Sequence, residues 1–158
     1  MVVELVRQNA AFMVNAESCA EVLRRVDAAI ANDSIAGETT CALAVLTPDD
    51  IFGASAGDSG IWLIPEGTAH VDLTQAQQRK PFIGSGSAWP VSFRRPRQGG
   101  GLLLATDGLL KYTSAERIIT TCREHLAEDV AERLVELVRY PSGALPDDVT
   151  AIFGQLNR

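Results

Sequence analysis

Residues 101–110 read GLLLATDGLL. Leu102, Leu103, Leu104 and Ala105 run without a polar interruption, and Thr106, Asp107 and Gly108 follow at once. A short continuous apolar run of this kind predicts a strand buried on both faces. The run ends in a carboxylate, and burying a charge is costly unless it is paired or holds a metal. Asp107 therefore needs a partner, and the rest of the chain must supply it.

Working outward, the chain downstream of this strand predicts two helices and a closing strand. Thr113 or Ser114 can cap the first helix, and Thr113-x-x-Glu116 has the spacing of a capping box. The second helix, about 128–140, places Val130, Leu134, Leu137 and Val138 on one face and stops before Pro141-Ser142-Gly143. Leu145-Pro146-Asp147-Asp148 then leads into a strand over 149–156 (VTAIFGQL).

Upstream lies a block of short strands. Residues 39–46 (TTCALAVL), 51–56 (IFGASA), 61–64 (IWLI) and a stretch near 69–73 are β-rich and are separated by the turn-forming groups TPDD, GDSG and PEGT. The segment 74–100 is polar, then flexible at Gly84-Ser85-Gly86-Ser87, then basic at Arg94-Arg95-Pro96-Arg97. It predicts a mobile flap or long loop with one strand near 91–93. At the start, residues 2–13 favour a helix. Residues 16–31 form a better one, with Asn15 as N-cap and Val22, Leu23, Val26 and Ile30 on one face, while Glu21, Arg24, Arg25 and Asp27 fall elsewhere.

The totals bound the possibilities. With 158 residues, 46% hydrophobic and 22% charged, this is one ordinary globular domain, 1–158. A formal net charge of −6 disfavours nucleic acid and anionic membrane surfaces as partners, since both reward an excess of Lys and Arg. The start lacks the basic-then-apolar pattern of a signal peptide, and no run reaches membrane-span length. The three cysteines, Cys19, Cys41 and Cys122, form no C-x-x-C pair. They read as reduced, mostly buried thiols, which points to the cytoplasm.

Three acidic positions border strong strands beside small residues: Asp58 in AGDSG, Asp107 in ATDGL and Asp147-Asp148 in PDDVT. Taken singly, an Asp in a D-G or D-D pair is a turn residue. Taken together, converging carboxylates repel unless a cation or protons compensate them. Oxygen-only ligands select hard cations such as Mg2+, Mn2+ or Ca2+. Gly57, Gly60 and Gly108 would let the backbone approach such a site closely. Spacing alone leaves both readings open.

GDSG followed by IWLI, then LLLATDGLL, then a paired-helix segment, then DDVTAIF resembles the type 2C metal-dependent protein serine/threonine phosphatases. Gly37-Glu38-Thr39-Thr40 is similar to that family's G-T-T segment with Glu38 inserted. The resemblance covers about residues 37–156. It implies an α+β fold, an α-β-β-α sandwich of two antiparallel sheets flanked by helices. It also implies phosphoester hydrolysis of phosphorylated protein by a water activated on Mg2+ or Mn2+. Carried over, Asp107 and Asp147 would ligate the first metal, with Gly108 as metal-site backbone and Asp148 in the place of the family's Asn. Asp58 would match the aspartate that helps hold a weaker third metal. The family's R-x-x-N-E-D-like and D-G-x-G-G segments have no match in residues 1–36, so the chain corresponds to the C-terminal two-thirds of such a domain. No phosphate-binding residue is identified. The alternative is a catalytically inactive phosphatase-like module acting in protein binding or self-association. A sheet without its first strands would expose edges, which predicts a homodimer through a sheet edge.

Other features carry less. His70 and His125 have no ligand-like neighbours. Ser59 lacks a G-x-S-x-G elbow and a paired His, and the glycine clusters lack a P-loop lysine. The arginine cluster at 94–97 reads as a solvated basic loop, with bidentate contact to a phosphorylated substrate as the alternative.

Overall fold

The computed structural model describes residues 1–157. The chain forms two compact units, one of Met1–Ser59 with Thr74–Arg97 and one of Gly60–Leu73 with Gln98–Arg158.

The first unit holds helices α1 (Val2–Gln8) and α2 (Ala16–Ala31), with a short 3-10 turn at Ala10–Phe12 between them. Its antiparallel sheet has the order β1 (Cys41–Leu46), β2 (Asp50–Ala56), β5 (Val91–Pro96). Helix α2 begins where its sequence says it should. The Asn15 side chain accepts from the Ser18 N–H at 2.8 Å, and the Ser18 hydroxyl accepts from the Asn15 N–H at 3.0 Å, a reciprocal cap. The apolar stripe Cys19, Val22, Leu23, Val26 and Ile30 is buried and clusters with Phe52, Ala54 and Ala56 of β2 and with Ile83. Asn15→Ala is expected to lower stability by about 1 kcal/mol, read from the urea unfolding midpoint, because it removes one of the two cap acceptors.

One residue departs from the sequence reading of this helix. Asp27 is buried, at 4% exposure, on the apolar side of α2. Its carboxylate accepts three backbone N–H groups, from Gly84 at 2.7 Å, Gly86 at 3.1 Å and Ala88 at 3.0 Å. The segment expected to be a flap is thus fastened to α2. It is fastened again where Thr39 and Ile83 exchange backbone hydrogen bonds of 2.9 Å. The predicted short strand near 91–93 extends to six residues because β2 pairs with it from Asp50↔Pro96 to Ser55↔Val91.

The second unit carries an antiparallel sheet in the order β4 (Val71–Asp72), β3 (Gly60–Pro65), β6 (Gly100–Ala105), β7 (Ala151–Leu156). Helices α3 (Asp107–Leu110), α4 (Ala115–Glu124) and α5 (Ala127–Glu136) follow β6. Strand β6 is buried along nearly its whole length, as its uninterrupted apolar run predicted, and β3 beside it is buried throughout. Leu103 and Ala105 of β6 cluster with Leu109, Ile118, Cys122, Val130 and Leu134 of the helices.

The helices and the closing strand of this unit are bounded by local contacts. Of the two candidate caps, Ser114 caps α4, its hydroxyl accepting from the Arg117 N–H at 3.3 Å. Helix α5 ends at Glu136, short of 140, where the Leu137, Val138 and Arg139 N–H groups donate to the Leu134, Val135 and Glu136 carbonyls three residues back. Strand β7 starts at Ala151 because Thr150 is engaged by Thr106. The fold class expected from the sequence holds, with two antiparallel sheets and their helices. No helix among the described residues is long and apolar enough to cross a membrane.

Candidate functional site

The opening strand delivers its carboxylate to a defined place. Strands β6 and β7 pair antiparallel from Gly100↔Leu156 to Ala105↔Ala151. Residues after the end of β6 and residues before the start of β7 therefore meet at one end of the sheet. Asp107 follows Thr106 at the end of β6, and Asp147-Asp148 lie two residues before β7 begins at Ala151.

Thr106 closes this junction. Its N–H donates to the Thr150 carbonyl at 3.0 Å, and its hydroxyl accepts from the Thr150 N–H at 2.9 Å. The same hydroxyl donates to the Asp148 carbonyl at 3.1 Å. Gly108 completes the fit, since a Cβ there would overlap the Asp148 carbonyl. The segments 106–108 and 147–150 are thus held in register by three hydrogen bonds and one backbone contact that tolerates no side chain.

The partner that Asp107 required is present. Helix α3 starts at Asp107, and the Lys111 N–H donates to the Asp107 carbonyl at 2.9 Å. This turn sets the Lys111 ammonium on the Asp107 carboxylate as an i,i+4 ion pair, with the Asp107 side chain 24% exposed. Asp147 turns one carboxylate oxygen back to accept from the Asp148 N–H at 2.9 Å.

Asp58 belongs to the first unit, in the turn after β2. Its carboxylate is 16% exposed and accepts from the Arg79 guanidinium at 2.9 Å. Beside it, the Ser59 and Thr40 hydroxyls share a hydrogen bond of 2.7 Å, and Gln77 donates to the Ser59 carbonyl at 2.8 Å. Ser59 is thus tied into this turn.

Two arginines of the 94–97 cluster are engaged in structure. Arg94 pairs with Asp50 at 2.5 Å, and the guanidinium holds the Asp50 carboxyl below its ordinary range. Arg97 donates to the Thr47 carbonyl at 3.1 Å. Both fasten β5 to the turn between β1 and β2. His70 lies against Trp62, ring centroids 4.4 Å apart, and His125 bonds the Thr121 carbonyl. The three cysteines are free. Burial pushes the thiols of Cys19 and Cys41 up to about 11 and that of Cys122 to about 12, so none is a thiolate nucleophile at neutral pH.

The donors at the β6–β7 junction suit a cation in kind. Asp107, Asp147 and the local carbonyls are all oxygen ligands, the set that hard divalent ions prefer. The number of donors suits one ion and not a pair. Among the described residues no group of three or more His, Cys, Asp or Glu side chains stands together.

Sequence reasoning missed Lys111, Arg79, Thr106 and Asp27. Two of them left a signal. Asp27 lies four residues from Leu23 and three from Ile30, so a helical wheel puts it on the buried side. Lys111 is four residues from Asp107, a spacing that matters only once 107–110 is read as helix rather than turn.

No protein-family model matches the sequence, and no curated protein matches it by sequence. Solved structures do match. The Mycobacterium tuberculosis serine/threonine phosphatase PstP superposes with a TM-score of 0.80 at 20% identity, over 99% of this chain and 82% of that one. The PstP catalytic domain in complex with two manganese ions gives 0.80 at 20% identity, over 98% of this chain and 80% of that one. A bacterial serine phosphatase gives 0.72 at 19% identity, over 90% of this chain, which spans 65% of its length. The fold is that of the type 2C serine/threonine phosphatases, the family that the GDSG, ATDGLL and DDVTAIF segments resemble. At these identities the likeness is one of fold.

Proposed function

We propose that this chain is a single phosphatase-like domain of a metal-dependent protein serine/threonine phosphatase, acting in the cytoplasm on phosphoserine or phosphothreonine in proteins, with Mg2+ or Mn2+ as cofactor. The reading rests on the β6–β7 junction, where two aspartates stand at one sheet end in a turn pair locked by Thr106 and Gly108. The fold likeness to a phosphatase crystallised with two manganese ions supports the choice of cation. Asp107 and Asp147 would hold it. Asp58 remains a ligand candidate on the resemblance, and would have to leave Arg79 to serve.

A bound divalent ion supplies an activated water and positive charge toward phosphoryl oxygens. The chain's own residues do the positioning. Thr106 and Gly108 keep the two acidic turns from separating.

Hydrolysis of p-nitrophenyl phosphate with Mn2+ tests the proposal. Asp107→Asn is expected to lower the rate by about 100-fold or more, at least the effect of losing an outer-shell partner. Equal rates for parent and variant would remove Asp107 from the mechanism.

A second reading has its own observation. The carboxylates of Asp107 and Asp58 each already have a cationic side chain, and no three-ligand cluster exists among the described residues. On this reading the chain is a catalytically silent phosphatase-like module. Strand β7 ends the sheet order of its unit, and its Ile152 is exposed, an edge on which a second copy would pair as a homodimer. A parent rate no higher than that of Asp107→Asn, with sedimentation as a dimer, would favour it.

A further inference from the structure

We propose that Lys111 is a built-in counter-ion of the Asp107 site, and that its ammonium competes with the divalent cation for the Asp107 carboxylate. This inference rests on the reading of Asp107 and Asp147 as cation ligands. It adds a regulation of that site that neither fold nor motif assigns.

The geometry comes from one helical turn. Helix α3 has four residues, begins at Asp107 and is capped by Lys111. The Lys111 N–H donates to the Asp107 carbonyl at 2.9 Å, so the backbone carries the lysine stem back over the aspartate. The ammonium then takes Oδ2 of Asp107. That oxygen is one of the two through which this carboxylate could bind any cation.

Exchange is open to the lysine. Its side chain is 44% exposed, and its flexible stem can carry the ammonium into water. An ion pair so exposed is weak, so it can compete with a divalent ion without blocking it. When the ion binds, Lys111 must withdraw, because an ammonium left within a few Å of a doubly charged cation is repelled. Lys111 therefore sets the cation concentration at which the site fills. High salt weakens the internal pair as well as the approach of the ion, so the contrast is greatest at low ionic strength.

The test is binding of Mn2+ alone to the full chain at low ionic strength, followed by the electron paramagnetic resonance signal of free Mn2+. Lys111→Met keeps the apolar stem and removes the charge, and is expected to bind Mn2+ about fivefold more tightly than the parent. Lys111→Arg restores the positive charge and is expected to bind like the parent. Asp107→Asn is expected to abolish binding in either background. Equal affinity of the parent and Lys111→Met, with binding lost in Asp107→Asn, would overturn the counter-ion role and leave the cation site standing. Absence of Mn2+ binding at millimolar concentration in both the parent and Lys111→Met would overturn the cation site itself, and the counter-ion role with it. Thermal melting of each variant shows that it is folded before binding is compared.

Discussion

Asp27→Ala is expected to lower the unfolding free energy by about 3 kcal/mol or more and to loosen residues 84–88. The carboxylate accepts three backbone N–H groups, those of Gly84, Gly86 and Ala88. It is buried, at 4% exposure, so its hydrogen bonds are charge-assisted and shielded from water. Gly84 and Gly86 have φ of 101° and 74°, left-handed conformations that side chains disfavour, and they turn successive N–H groups inward onto the acid. Truncation removes all of these acceptors at once. Each buried donor left without one costs about 1–3 kcal/mol, and water reaching the outer part of the loop recovers some of it. Asp27→Asn keeps one acceptor oxygen but points an amide at a donor, so it should fall between the alanine variant and the parent. Urea unfolding followed by circular dichroism gives the free energy, and hydrogen exchange at 84–88 gives the local effect. An alanine variant with parental stability and parental exchange would show that the loop holds itself.

Gly108→Ala is expected to cost about 2 kcal/mol, seen as a fall of roughly 4–8 °C in melting temperature for a chain of this size. The reason is contact and not backbone strain, because Gly108 is absent from the positive-φ glycines. A Cβ at 108 would overlap the Asp148 carbonyl oxygen and stand 3.0 Å from its carbon. Both are backbone atoms, which cannot rotate out of the way. Either α3 or the 147–150 turn must shift, and the Thr106 hydrogen bonds to Asp148 and Thr150 lengthen with it. The same shift parts the turns that carry Asp107 and Asp147, so Mn2+ affinity should fall together with stability. A variant that melts like the parent would mean the junction has slack that its contacts do not suggest.

The elements legible in the sequence were those whose signal is local. Helix α2 was readable to the residue, because its cap at Asn15, its apolar stripe and its end at Ala31 all lie in one short continuous stretch. Strands β3 and β6 were readable because a continuous apolar run has few other uses in a short element. The less legible parts depend on partners distant in sequence. Strand β5 looks like a basic loop until β2 pairs with it and Asp50 neutralises Arg94. The 74–88 segment looks free because its composition is polar and glycine-rich, and the acid that fastens it is 57 residues from the first amide it binds. Asp27 itself was assigned to the wrong side of its helix because it is charged.

For the candidate site the division is similar. The residues alone show which aspartates border strands, that their neighbours are small, and that the order of segments resembles a phosphatase. Each of these is a property of a few adjacent residues. That Asp107 and Asp147 come to one sheet end is a property of the folded chain, since it follows from the antiparallel register of β6 and β7, strands separated by three helices. Only the structure decided that Lys111 and Arg79 reach the carboxylates first. Charge compensation depends on distances of a few Å, and those distances exist only once the backbone has turned.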